Sequence, residues 1–90
     1  MSYQVILSHK AKKAVEKLDK TTARRIRDRL RELAADPYDH RLSKEMETEP
    51  EKRYSRIGDW RIVYRVNEAK KIIDAGTIQH RSKVYKEIKR

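Results

Sequence analysis

The stretch RIGDWRIVYRV, residues 56–66, sets three arginines, Arg56, Arg61 and Arg65, among apolar side chains. Gly58-Asp59 within it reads as a two-residue hairpin turn, with glycine first as a type II′ geometry asks. Counting outward from that turn sets Ile57 opposite Trp60, Arg56 opposite Arg61, Ser55 opposite Ile62, Tyr54 opposite Val63 and Lys52 opposite Arg65. Residues paired directly across a ladder share one face of the sheet. One face then holds Ile57, Trp60, Ile62 and Tyr64, an apolar set that suits a core. The other holds Lys52, Tyr54, Arg56, Arg61, Val63 and Arg65. Like charges directly opposite each other cost a few tenths to about 1 kcal/mol per pair, and no carboxylate is interleaved among these residues. Such a face is expected to meet an anion; the plainer alternative is a solvated surface. Cations around the Tyr54 ring suit RNA, whose phosphates meet charge while its bases stack on aromatics.

A second cluster, QHRSKVY at residues 79–85, offers His80, Arg81 and Tyr85 just beyond the last predicted strand. RNA carries its own nucleophile, the ribose 2′-hydroxyl beside the scissile phosphate. An enzyme need only align it, remove its proton, stabilise the crowded phosphorane and protonate the leaving oxygen. Arginine forks serve the charge, and a tyrosine or histidine can move a proton. On that logic Arg61 and Arg81 stabilise charge, Tyr85 or His80 handles a proton, and Lys52, Tyr54, Arg56 and Arg65 hold the RNA. Each residue of the second cluster also has a plainer reading. Tyr85 can pack on the core, His80 can be a surface histidine, and Arg81 can pair with an acidic neighbour.

Other chemistries find little support. His9, His40 and His80 lack metal-ligand spacing, and Gly58 and Gly76 are the only glycines, so there is no phosphate-cradling loop. No serine sits in a nucleophile-elbow context. Neither a metal nor a cofactor is expected.

These residues need a scaffold, and the hydrophobic pattern supplies one. YQVILS alternates Tyr3, Val5 and Leu7 against Gln4 and Ile6, a half-buried strand. Ser8 can cap a helix, HKAKKAVEKL, that carries Ala11, Ala14, Val15 and Leu18 on one stripe. Thr21 or Thr22 can cap the next helix, ARRIRDRLRELAA, where Ala23, Ile26, Leu30, Leu33 and Ala34 recur at helical spacing. Asp36-Pro37 ends it, because a residue before proline avoids the helical region. Residues 38–51 are polar with no strand expected before Lys52, and their acidic run, EMETEPE, reads as a solvated loop. Strands resume near Lys52, continue through RIVYRV and return in IIDAGTI, and Ser82 can cap a short helix, KVYKEIKR. The expected architecture is α+β: a small, antiparallel-rich sheet of about four strands in the order β-α-α-β-β-β, a helical hairpin on one face and a short C-terminal helix.

Length and charge bound the rest. At 90 residues the chain is expected to be one domain, 1–90, with a single thin core. The net charge of +10 points to an anionic partner; a thermostable surface would balance its signs better. Without cysteine there are no disulfides. The start, MSYQVILSHK, lacks the marks of a signal peptide, and no apolar run is long enough to span a bilayer. A soluble, cytoplasmic protein with no membrane partner is expected.

Nearly the whole chain resembles the RelE/ParE superfamily of toxins from prokaryotic type II toxin–antitoxin pairs, specifically the RelE branch. RIGDWRIVY and HRSKVY carry the resemblance most specifically, with YQVILS, KAVEKLDK and the helix ending in DP in support. The resemblance implies two helices on one side of a small sheet whose other face is open and concave. It implies an mRNA interferase, cutting mRNA in the ribosomal A site by 2′-hydroxyl attack to leave a 2′,3′-cyclic phosphate and a 5′-hydroxyl. It implies a cognate RelB-like antitoxin, in a heterotetramer or similar complex, with the ribosome and mRNA as further partners. Arg61 in DWRIVY matches the family's central arginine, and Tyr85 in KVY its C-terminal tyrosine, which stacks on the base beside the cut. Arg81 matches the remaining arginine if the chain is slightly shorter there; an ungapped match puts Gln79 in that place. Lys52 matches one of two functional lysines, while Tyr54 replaces the other. The rival readings are a ParE-like inhibitor of DNA gyrase and a non-catalytic RNA- or ribosome-binding module.

Overall fold

Two side-chain caps set where the helices begin. Ser8 Oγ accepts from the Ala11 N–H at 3.0 Å and opens α1 (His9–Glu16), as expected. The cap of α2 (Lys20–Ala35) is Asp19, whose carboxylate accepts from the Thr22 N–H at 3.1 Å. This corrects the expectation of Thr21 or Thr22, which both lie inside the first turn. Aspartate is a better cap than threonine, and its charge suits the positive helix end. The Thr22 hydrogen bonds hold the Asp19 carboxyl below its usual range. Asp36, before Pro37, turns to φ −157° and ends α2 where the sequence predicts.

The computed structural model describes residues 2–82; the predicted C-terminal helix and Tyr85 lie outside them. Around the helices run β1 (Gln4–Leu7), β2 (Lys44–Glu45), β3 (Lys52–Ile57), β4 (Trp60–Asn67) and β5 (Ile72–His80). They form one mixed sheet in the order β1-β5-β4-β3-β2, with β1 parallel to β5 and the other neighbours antiparallel. The fold is therefore the expected α+β class with one strand more than predicted. The extra strand, β2, lies where no strand was expected and is two polar residues paired with Arg53 and Tyr54. So short a piece shows no period in sequence.

The β3–β4 hairpin keeps the register counted from the sequence, from Ile57↔Trp60 and Arg56↔Arg61 out to Lys52↔Arg65. Gly58 takes φ +58° and Asp59 stays at negative φ, as a type II′ turn requires. On the inner face Ile57, Ile62 and Tyr64 join Ile73, Ala75 and Ile78 of β5 against Ala11 and Val15 of α1 and Ala23, Ile26, Leu30 and Leu33 of α2. Full burial of each large apolar side chain contributes about 1.5–3 kcal/mol. The hydroxyl of Tyr64, buried with them, donates to the Pro37 carbonyl at 2.6 Å. Among the described residues no helix is long and apolar enough to cross a membrane.

One irregularity decides which side chains share the other face. Val63 pairs with Thr77, but Tyr64 pairs with Ala75, so Gly76 is an extra residue bulged out of β5. Inward positions run Ile73, Ala75 and then Ile78. A strand without the bulge would turn residue 79 inward. With it, Gln79 faces outward opposite Arg61, and His80 turns inward opposite Trp60.

Candidate nucleic-acid interface

The open face of the sheet is built from cross-strand rows. Arg56, Arg61 and Gln79 form the row nearest the hairpin turn. Lys44, Tyr54, Val63 and Thr77 form the next. Lys52, Arg65, Asp74 and Ile6 form a third, farther from the turn. The six hairpin residues assigned to this face from the sequence therefore do lie together. Arg61 is half-buried because its guanidinium stacks over the Tyr54 ring, 4.4 Å from the centroid. Stacking holds the guanidinium flat on the sheet and is worth ~0.5–2 kcal/mol. Its forked donors remain able to grip a phosphate.

Charge is not spread evenly over these rows. Lys52 pairs with Glu49 at 3.2 Å, and Arg65 reaches Glu51 at 3.8 Å while facing Asp74 across the ladder. Asp74 corrects the expectation that no carboxylate is interleaved here: it comes from β5, which counting the hairpin alone leaves out. Near the turn the picture differs. Among the described residues neither Arg56 nor Arg61 has a carboxylate within ion-pairing distance. Gln79 Oε1, buried in the Arg61 row, is reached by no donor among the described residues. That row combines uncompensated positive charge with an unused acceptor.

The second cluster is only partly brought to this place. Arg81 N–H donates to the Asp59 carbonyl at 2.8 Å, and its guanidinium stands 3.7 Å from the Asp59 carboxylate. Its pairing with an acidic neighbour is thus present, at the turn end of the face. Both side chains are more than half exposed, and such a pair is worth little, so it can open for a stronger anion. His80 is not brought to Arg61. Its ring meets Trp60 edge-on at 5.3 Å, and Nδ1 lies 3.1 Å from Ser82 Oγ. Together with Trp60, Ile78 and Lys13 it lines a cleft of about 770 Å³ against α1. Among the described residues no trio of His, Asp or Glu converges into a metal-ligand set.

A buried network behind the face sets its shape. Arg29 of α2 donates through Nη1 to Ser55 Oγ at 2.7 Å and to the Arg56 carbonyl at 2.9 Å. Ser55, fully buried, donates onward to the Leu42 carbonyl at 2.7 Å. Arg53 donates to Ser43 Oγ at 2.9 Å and lies over the Tyr38 ring. These contacts tie α2 and the segment before β2 to the strand that carries Tyr54 and Arg56. Sequence reasoning missed Arg29, which reads as one more solvated helix cation. The available signal was Ser55: a hydroxyl at an inward position needs a partner.

Far from the turn, Glu68 gathers a separate cluster. Its carboxylate accepts from Lys71 at 2.8 Å and Tyr3 at 2.6 Å, and from the Tyr38 hydroxyl. The Lys71 hydrogen bond, then those of Tyr3 and Tyr38, hold the Glu68 carboxyl down at about 2. Burial, then the bond to Glu68, push the Tyr38 hydroxyl up to about 12.

The family profile described as the ParE toxin of type II toxin–antitoxin systems, parDE, matches residues 5–85. The archaeal RelE–RelB complex from Pyrococcus horikoshii contains a chain 26% identical, with a TM-score of 0.75 over 90% of this chain and 97% of that one. The isolated Escherichia coli RelE toxin is 22% identical, with a TM-score of 0.78 over 97% of this chain and 95% of its own. A chain of the intact E. coli RelBE complex is 18% identical, with a TM-score of 0.77 over 88% of this chain and 96% of that one. No curated protein sequence gives a significant match.

Proposed function

Since the chain belongs to the ParE toxin family of type II toxin–antitoxin systems, within the RelE/ParE superfamily, we propose that it acts as a RelE-like, ribosome-dependent endoribonuclease. The observation that carries this reading is the row Arg56–Arg61–Gln79, where a stacked guanidinium on an open sheet face has no carboxylate within ion-pairing distance among the described residues. A phosphorane carries more negative charge than the phosphodiester it comes from. A preorganised fork in that place therefore stabilises the transition state more than the substrate.

In the proposed reaction the ribose 2′-oxygen forms a bond to the scissile phosphorus and the bond to the 5′-oxygen breaks. The products are a 2′,3′-cyclic phosphate and a 5′-hydroxyl, with one proton leaving the 2′-oxygen and one arriving at the 5′-oxygen. Arg61 holds the phosphate, and Arg81 joins it after exchanging Asp59 for the RNA. Tyr54, Arg56, Lys52 and Arg65 bind the flanking strand. Tyr85 stacks on the base beside the cut and serves proton transfer. His80 is turned against Trp60, and the proposed steps do not call on it. A RelB-like antitoxin neutralises the toxin, as RelB accompanies RelE in the complexes it resembles.

A second reading, a ParE-like inhibitor of DNA gyrase, is favoured by two observations. The matching profile is described as the ParE toxin, and Gln79, not an arginine, faces Arg61 across the ladder. One experiment separates the two readings: adding the toxin to a purified translation system and mapping mRNA ends. The proposal expects cuts at A-site codons of translated messages only, with cyclic-phosphate ends. Intact messages together with blocked supercoiling by gyrase would establish the second reading instead.

A further inference from the structure

The open face does not hold most of the chain's positive charge. Residues 9–35 carry ten Lys and Arg against four Asp and Glu, or +6 of the total +10. On α2, Lys20, Arg24, Arg27 and Arg31 follow one another at intervals of four, three and four residues, so they form one row along the helix. All four are exposed. Arg31 pairs with Asp28 at 2.9 Å, but among the described residues Lys20, Arg24 and Arg27 have no ion-pair partner. Like charges at this spacing each cost about 0.2–0.5 kcal/mol. The fold recovers none of that, because α2 packs through Ala23, Ile26, Leu30 and Leu33 on a different side.

We propose that this row is a second nucleic-acid surface, separate from the open face, which binds the phosphates of double-helical RNA. At 1.5 Å per residue the four cations span about 16 Å in a straight line, enough to follow a run of phosphates. What accompanies them narrows the partner. No aromatic ring stands in the row, so it offers no platform for the bases of a single strand. The cleft beside it, about 570 Å³, is lined by Val15 and Ala23, both buried, and half-buried Leu18, with Glu16 as its carboxylate. An acidic protein segment would want a deep apolar anchor there. A duplex needs only charge along its backbone, and RNA duplexes are bound chiefly through shape and phosphates. Choosing RNA over DNA rests on the ribosome-dependent reading; the row itself does not.

The test is fluorescence anisotropy of the full chain with a labelled 20-base-pair RNA duplex across 50–200 mM salt. The variant K20Q/R24Q/R27Q is compared with K10Q/K12Q/K70Q, which removes equal charge elsewhere, and with the charge-keeping K20R/R24K/R27K. Each phosphate contact steepens the logarithmic salt dependence by about one. The first variant should therefore flatten it by about 3 and lose at least tenfold in affinity at 100 mM salt. The other two should stay within about threefold of the parent. Equal losses in the first and second variants would overturn the proposal and leave only net charge. Unchanged RNA binding in the first variant, with loss of binding to a Glu-rich helical peptide, would assign the row to an acidic protein. Tighter binding to a DNA duplex would overturn the choice of RNA and favour the gyrase reading. Cleavage fails independently of these outcomes, because Arg61→Ala leaves the row intact.

Discussion

The two ends of the open sheet face use the same residue types to different effect. Away from the turn, Lys52 and Arg65 have Glu49, Glu51 and Asp74 around them, and beyond lies the Glu68 cluster with its own lysine and two tyrosines. Near the turn, Arg56 and Arg61 face each other with no carboxylate in reach among the described residues, and Arg61 lies flat on Tyr54. Compensated charges hold a surface together. Uncompensated ones, held in place by stacking and by the buried Arg29–Ser55 network, carry a cost that a bound phosphate would offset.

The contrast can be broken most severely by giving Arg61 the partner that Arg65 already has. Gln79→Glu places a carboxylate directly opposite Arg61. It should lower the cleavage rate by about a hundredfold, the scale for losing one oriented donor, while circular dichroism and thermal unfolding stay close to the parent. Removing the support behind the face should act on stability. Arg29→Ala leaves the buried Ser55 hydroxyl and the Arg56 carbonyl without that donor, and the urea midpoint should report a loss of about 1–3 kcal/mol at unchanged slope. The reverse change, Asp74→Asn, removes the carboxylate that faces Arg65 across the ladder. It should tighten RNA binding by only about two- to fivefold, since interactions between exposed charges are worth about 0–1 kcal/mol.

The smallest effect belongs to acid. Glu68 sits at about 2 in the folded chain against an ordinary 4.5. Its contribution to stability is therefore complete above pH 4.5 and is lost as pH falls towards 2. Glu68→Gln should flatten that part of the pH–stability curve and leave cleavage at neutral pH unchanged.

Much of this face was legible because strand pairing is arithmetic. One glycine-first turn fixed the register of β3 and β4, and alternation then assigned every side chain of the hairpin. The failures have equally local causes. The bulge at Gly76 inverts the alternation beyond it, which sends His80 to Trp60 and brings Gln79 opposite Arg61. Asp74 reaches the basic face only through the pairing of β4 with β5, a tertiary fact that the hairpin does not encode. Two-residue β2 and the buried task of Arg29 exist only because the chain packs back on itself. The α2 row was visible as composition, but its meaning depends on which side of the helix the core occupies.

The most direct test is single-turnover cleavage of mRNA on programmed ribosomes by Arg61→Ala and Arg65→Ala, with ribosome binding measured alongside. The uncompensated end should carry the chemistry, so Arg61→Ala should lose about 10²–10³ in rate at near-parental binding, and Arg65→Ala less than about tenfold. Equal losses in the two variants, or full activity of a folded Arg61→Ala, would contradict the account.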